Sequence, residues 1–82
     1  MNIKVLGTGC PKCQRLEYNV NEALKRSNQE ATVEKVTNIE DILSYGVMST
    51  PALVIDGIVV SSGKLVKPND IIELMHQKTS NQ

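Results

Sequence analysis

The chain contains two cysteines, Cys10 and Cys13, separated by two residues. A disulfide between them would close a very short loop and would stabilise the fold little, because this stabilisation grows with the length of the loop. On the first turn of a helix, however, the same spacing brings both sulfurs within bonding reach. Such a pair can attack a substrate disulfide, form a mixed disulfide and then resolve it. We therefore interpret the two cysteines as a chemical pair that cycles between dithiol and disulfide.

The residues around the pair favour a reactive thiolate at Cys10. A helix is predicted to begin directly after Cys10, with Pro11 at its first position, where the missing N–H of proline costs nothing. Unpaired backbone N–H groups and the helix dipole stabilise negative charge at that end, and Lys12 adds a positive charge. Such settings lower a cysteine pKa from about 8.5 to roughly 3.5–7.5. We expect Cys10 to be the exposed attacking thiol and Cys13, one turn into the helix, to be the buried resolving thiol.

The helix that follows Cys10 is defined by apolar residues at helical spacing. Its buried face is predicted to carry Cys13, Leu16, Val20, Ala23, Leu24 and Ser27. Its solvent face is predicted to carry Arg15, Asn19, Glu22 and Arg26. This arrangement places the second cysteine toward the core of the protein.

Four runs of β-forming residues are predicted strands: 2–6, 31–37, 52–55 and 58–60. The last two are joined by Asp56-Gly57, one of the strongest hairpin signals in a sequence. Residues 61–64 are predicted to be loop. The first two strands are joined through a helix, so we expect them to be parallel with a right-handed crossover.

Two further helices complete the prediction. Asn38 is the expected N-cap of a short helix that ends near Gly46. The last helix begins near Pro68, and the polar tail 79–82 is expected to fray. The predicted order is therefore β-α-β-α-β-β-α, an α/β fold with a four-stranded mixed sheet. With 82 residues and no repeat or linker, we expect one domain over residues 1–82.

Composition excludes several classes of protein. Apolar residues make up 40% and charged residues 22% of the chain, which is typical of globular rather than disordered proteins. Nine basic and nine acidic side chains cancel, so the chain lacks the basic excess of nucleic-acid-binding proteins. No apolar run approaches the length that crosses a membrane, and the N-terminus has no signal-peptide pattern. We expect a cytoplasmic protein that binds neither nucleic acid nor membrane.

A second group of residues, Ser49, Thr50 and Pro51, stands directly before the third predicted strand. Proline is acceptable in trans as the first residue of a strand, and general frequencies favour a trans bond. Of the neighbouring residues, Met48 is predicted to fill a gap in the core. Far along the chain, His76 is expected to lie at the surface of the last helix.

The two groups together resemble the thioredoxin/glutaredoxin superfamily. The cysteine motif follows the first strand, and residues 47–57, with Thr50 and Pro51, come later in the order and spacing of that family. More narrowly, the chain is similar to small thioredoxin-like redox-active disulfide proteins with a glutaredoxin-like minimal core. The resemblance implies that Pro51 is cis and packs beside the cysteines. It also implies that the backbone of Thr50 binds an extended substrate segment by strand addition.

The resemblance implies a thiol–disulfide oxidoreductase that reduces protein or small-molecule disulfides through Cys10 and Cys13. It implies protein substrates that contain disulfides and an electron donor similar to thioredoxin reductase. We expect a monomer, and no cofactor beyond the Cys10–Cys13 disulfide itself. Pro11 and Lys12 would both tune the thiol or contact the substrate.

Two of the chain's departures from the family bear on the reaction and on glutathione. Lys4 stands six positions before the first cysteine, where the family keeps a buried acid that assists proton transfer to the second cysteine. The Gly-Gly pair that helps glutaredoxins to hold glutathione is replaced near residues 61–63.

The alternative function is a copper or zinc carrier or sensor that uses the two thiolates. A tetrahedral zinc site needs four ligands, however, and this chain offers two thiols and the distant His76.

Overall fold

The computed structural model describes the backbone of residues 1–80 and the side chains of residues 1–77. Seven elements follow in order: β1 (Asn2–Leu6), α1 (Pro11–Ser27), β2 (Thr32–Val36), α2 (Ile39–Ser44), β3 (Ala52–Ile55), β4 (Ile58–Ser62) and α3 (Pro68–Ser80). The predicted order of elements is confirmed. Residues 79–80 continue α3, and the remainder of the predicted tail, 81–82, lies outside the described residues. No helix among the described residues is long and apolar enough to cross a membrane.

The four strands form the predicted mixed sheet, in the order β2-β1-β3-β4. β1 runs parallel to β2 and antiparallel to β3, and β4 pairs antiparallel with β3. The β3–β4 turn is made by Asp56 and Gly57, whose φ angles are 51° and 82°. An Asp-Gly pair adopts two positive φ angles readily, which is why this dipeptide predicts a tight hairpin.

β4 extends beyond the predicted strand, because Ser61 pairs with Leu53 and Ser62 pairs with Ala52. The two serines are therefore strand residues rather than the predicted loop. A register shift between Leu53 and Val54 interrupts the ladder just before them. β4 is an edge strand with one side open to solvent, so it accepts polar residues that give no strand signal in the sequence.

Side chains of the central strands β1 and β3 alternate between two buried clusters, one on each face of the sheet. The first cluster consists of Ile3, Val5, Leu16, Val20, Ala23, Leu53, Ile55, Ile71 and Met75. The second cluster consists of Leu6, Ile42, Val47, Ala52 and Val54. Helices α1 and α3 therefore cover one face, and α2 covers the other.

One residue of α1 lies on a different face from the one predicted. Asn19 is only 5% exposed, whereas helical spacing placed it on the solvent side. Its Nδ2 donates a hydrogen bond to the carbonyl oxygen of Val66 at 2.9 Å. The segment between β4 and α3 covers this part of α1, and its partly buried carbonyl group needs a donor. The amide of Asn19 supplies it, so a polar residue occupies a buried position.

The segment around α2 is more exposed than predicted. Asn38 caps α2 as expected, since its side-chain oxygen accepts from the backbone N–H groups of Glu40 and Asp41. Met48, however, is 92% exposed, so the prediction that it fills the core is wrong. The adjacent Val47 is buried instead. A six-residue helix covers only part of the sheet face, and the chain after it returns to β3 along the surface.

Replacing Asn19 with alanine is expected to lower the free energy of unfolding by about 1 kcal/mol, because the partly buried Val66 carbonyl would lose its donor. Asn21→Ala, on the exposed side of the same helix, should change it by no more than about 0.5 kcal/mol. Urea unfolding of both variants, with the disulfide oxidised, measures the difference. Equal losses in the two variants would contradict a structural role for the Asn19 amide.

Candidate active site

The cysteine motif lies where β1 ends and α1 begins. Cys10 is the N-cap of α1, with extended backbone angles (φ −65°, ψ 163°), and Pro11 occupies the first turn. The Cys10 carbonyl oxygen accepts the first helical hydrogen bond, from the Gln14 N–H at 3.0 Å. These positions confirm the predicted helix start. The first turn of α1 contains no acidic residue, so no carboxylate competes there for the positive end of the helix.

The two cysteines form a disulfide, with their Cα atoms 5.0 Å apart. The Cys10 Sγ also accepts a hydrogen bond from the backbone N–H of Cys13 at 3.2 Å. This is one of the N–H groups that a helix leaves without a backbone partner. Cys10 is partly exposed, whereas Cys13 is only 5% exposed. The two sulfurs therefore differ in access to solvent, in the direction predicted.

Gly7 lies against the second cysteine. It is buried, and a Cβ atom added to it would overlap the Sγ and Cβ of Cys13. Gly7 does not have the positive φ of Gly9, so space rather than backbone conformation requires glycine here. The sequence offers no signal for this requirement, because a glycine after a strand equally suits a turn.

The proline predicted near the cysteines has the expected geometry. The Thr50–Pro51 peptide bond is cis, as the resemblance implied. Pro51 is buried and Thr50 is exposed. Ala52 pairs with Leu6 at the end of β1. Pro51 therefore lies at the same end of the sheet as the loop that leads to Cys10. The two sequence motifs therefore meet at one end of the sheet.

A backbone hydrogen bond joins the cis-proline segment to Gly63, the residue that follows β4. The N–H of Gly63 donates to the carbonyl oxygen of Pro51 at 2.9 Å. Gly63 has a φ of 72°, and a Cβ atom on it would lie 2.8 Å from the Cβ of Ser49. Glycine is thus needed at residue 63 both for its conformation and for close packing.

The two lysines singled out in the sequence lie on different elements. Lys12 is exposed on the first turn of α1. Lys4 donates a hydrogen bond to the Tyr45 hydroxyl at 3.1 Å, and this contact raises the pKa of Lys4. Because side chains alternate along β1, Lys4 shares the α2 face of the sheet, while Val5 faces α1. The ammonium of Lys4 therefore stays protonated at neutral pH and does not face Cys13.

A small cavity of about 90 Å³ lies beside Cys13. Its lining consists of Val5, Gly7, Gly9, Cys13, Gln14, Glu17, Lys35 and Thr37. The Oε1 of Glu17 lies 3.7 Å from the Nζ of Lys35. Neither Glu17 nor Lys35 stood out in the sequence, since each reads as an ordinary charged surface residue.

The described residues contain no group of three or more His, Cys, Asp or Glu side chains arranged to hold a metal ion. His76 lies exposed on α3, as predicted.

Comparisons with known proteins agree with this geometry. Residues 1–76 match the family model described as a thioredoxin domain. A thioredoxin of Methanothermobacter thermautotrophicus is 35% identical over 75 residues, which span 92% of this chain and 97% of that protein. A thioredoxin of Methanocaldococcus jannaschii is 35% identical over 71 residues, which span 87% of this chain and 81% of that protein.

A solved structure described as "Structure of a malarial protein" superposes with a TM-score of 0.66 and covers 93% of each chain. Its sequence identity of 18% supports the fold alone. The family model and the archaeal relatives extend the likeness from the fold to the family. This chain therefore belongs to the thioredoxin family of thiol–disulfide oxidoreductases.

Proposed function

We propose that this protein reduces disulfides in proteins or small molecules by cycling Cys10 and Cys13 between dithiol and disulfide. The observation that carries the proposal is the hydrogen bond from the Cys13 N–H to the Cys10 Sγ at 3.2 Å. In the reduced protein the same N–H, together with the helix dipole, favours a thiolate on Cys10. The residue that must attack first is thus the one whose negative charge the helix stabilises.

The reaction has two steps. The Cys10 thiolate attacks one sulfur of the substrate disulfide, and a mixed disulfide forms as the first substrate thiolate leaves. Cys13 then attacks the Cys10 sulfur of the mixed disulfide, which forms the Cys10–Cys13 bond and releases the second substrate thiolate. The substrate gains two electrons and the cysteine pair loses two. The greater burial of Cys13 suits this order, because a substrate reaches Cys10 first.

The substrate segment is proposed to bind beside the cis-proline. Thr50 is exposed at the end of the sheet where the cysteine loop lies. An extended substrate segment can pair with its backbone there. Met48, 92% exposed, adds an adaptable apolar contact of the kind used at promiscuous binding surfaces. Pro11 and Lys12, exposed beside Cys10, would contact the substrate from the opposite side.

The remaining functional assignments are also proposals. An electron donor similar to thioredoxin reductase would return the disulfide to the dithiol, and no cofactor beyond the cysteine pair would take part. Residues 1–82 would act as one monomeric domain in the cytoplasm. The naming of both archaeal relatives as thioredoxins supports disulfide-containing substrates and a reductase partner in general.

Equilibration with a series of glutathione buffers is expected to give a reversible two-electron couple for Cys10 and Cys13. Potentials of proteins that use this chemistry span roughly −270 to −120 mV, and a value near the lower end would favour reduction of substrates. The metal content of protein purified anaerobically is measured in parallel. Stoichiometric copper or zinc without a reversible couple would show that the protein is a metal carrier or sensor instead.

A further inference from the structure

The second step of the proposed reaction needs a proton acceptor. Cys13 must attack as a thiolate, yet it is only 5% exposed and cannot readily give its proton to bulk solvent. The cavity of about 90 Å³ lies directly beside it. A volume of this size has room for water, so a proton can leave Cys13 through the cavity if a base lines it.

The cavity lining contains one group that can act as that base. Within the described part of the chain, its titratable side chains are Cys13, Glu17 and Lys35. The ammonium of Lys35 has no free electron pair with which to take a proton, and the other lining residues are neutral. The carboxylate of Glu17 can accept one.

The position of Glu17 is set by the helix and by an ion pair. Glu17 follows Cys13 by four residues in α1, so both side chains lie on the same face of the helix. Lys35 approaches from β2, with its Nζ 3.7 Å from Glu17 Oε1. The Glu17 side chain is 30% exposed and that of Lys35 is 61% exposed. Val5 of β1 and Gly7, which follows β1, carry no charge, so Lys35 is the charged group that faces Glu17 across the cavity.

We propose that Glu17 accepts the proton of the Cys13 thiol across this cavity when the mixed disulfide is resolved, an inference that rests on the proposed function. The proton moves from Cys13 Sγ to a Glu17 carboxylate oxygen, directly or through water. The Cys13 thiolate then bonds to Cys10 Sγ as the bond from Cys10 to the substrate sulfur breaks, and the electron pair leaves with that sulfur. Glu17 then passes the proton to the released thiolate or to solvent, which restores the carboxylate.

The two steps can be measured separately by mixing reduced protein with one equivalent of dithiobis-nitrobenzoate. Attack by Cys10 releases a first coloured thiolate, and attack by Cys13 on the mixed disulfide releases a second. Stopped-flow absorbance therefore gives one rate for each cysteine.

The variants are Glu17→Gln, Glu17→Asp and, as a matched control, Glu22→Gln. Glu22 is on the same helix, but it accepts a hydrogen bond from the Tyr18 hydroxyl and does not line the cavity.

Glu17→Gln is expected to slow the second phase about tenfold at pH 7 and to leave the first phase unchanged, since a positioned base contributes at least this much. The difference should shrink toward zero as the pH rises above about 8.5, where an ordinary thiol ionises without help. Glu17→Asp should recover part of the rate at pH 7. Glu22→Gln should match the wild type in both phases.

Three results would overturn the assignment of Glu17. A second phase as fast as that of the wild type in Glu17→Gln would mean that the carboxylate takes no part in the step. A faster second phase would mean that the carboxylate only repels the Cys13 thiolate. Slowing by the same factor at every pH would mean that the substitution merely disturbs the packing around Cys13. In all three cases the wild type would still release two thiolates, and the proposed function would stand. Release of only one thiolate by the wild type would contradict the proposed function itself.

Discussion

Replacing Cys13 with serine is expected to convert the protein into a covalent trap for its substrates. Cys10 would still attack a substrate disulfide, because its position at the N-cap of α1 is unchanged. The mixed disulfide would then persist, since no second thiol lies within reach to resolve it. Turnover with a disulfide substrate should fall by at least about 10³-fold, as for the loss of a group that takes part in the covalent step. Non-reducing electrophoresis and intact mass would show the adduct.

The reciprocal variant, Cys10→Ser, is the matched control. It should lose turnover equally but form no lasting adduct, because the remaining Cys13 is only 5% exposed. An adduct in Cys10→Ser and none in Cys13→Ser would reverse the assignment of the attacking and resolving cysteines. Both variants lack the disulfide, so their stabilities should be compared with that of the reduced wild type.

Gly7→Ala is expected to destabilise the protein and to change the reduction potential of the cysteine pair. The added Cβ would overlap Cys13 Sγ, and overpacking of a buried site costs about 1–3 kcal/mol. The penalty should fall more on the disulfide form, because a free Cys13 thiol can rotate away and a bonded sulfur cannot. Each 1 kcal/mol of such preference raises the reduction potential by about 20 mV. Thermal unfolding in both redox states and equilibration with glutathione buffers measure the two effects.

Gly46→Ala provides the comparison for Gly7→Ala. Gly46 has a φ of 80°, and a Cβ atom there would meet nothing within 4 Å. Gly46→Ala should therefore lower the free energy of unfolding by roughly 1–2 kcal/mol through backbone strain alone. The decrease should be the same in the oxidised and reduced proteins. If Gly7→Ala behaves in the same way, with no change in potential, then contact with Cys13 is not the reason for glycine at residue 7.

Local signals in the sequence predicted the elements well. The Asp56-Gly57 hairpin and the Asn38 cap are where they were expected, and α1 begins directly after Cys10. Such features depend on the φ preferences and hydrogen bonds of a few neighbouring residues. Prediction from the sequence failed where the neighbours of a residue in space come from a distant part of the chain. Helical spacing put Asn19 on the solvent face, but the Val66 carbonyl, 47 residues away, lies over it.

The assignment of Lys4 shows a related limit. Counting back from Cys10 placed Lys4 where the family has its acid, but a position along a strand does not identify the face on which a side chain lies. The two faces of β1 are covered by different helices, and Lys4 contacts Tyr45 at the end of α2. The carboxylate that does share a cavity with Cys13 is Glu17, from a different element.

The cysteine pair could be identified from the amino-acid sequence alone, because it consists of two cysteines three positions apart at a helix start, with proline on the first turn. That much is a local property, because one turn of helix sets the separation of the sulfurs and supplies the N–H that bonds to Cys10. The surroundings of Cys13, in contrast, depend on how the strands pair. Gly7 from the end of β1 and Lys35 from β2 reach it because the parallel pairing of these strands brings together residues that are distant in the chain.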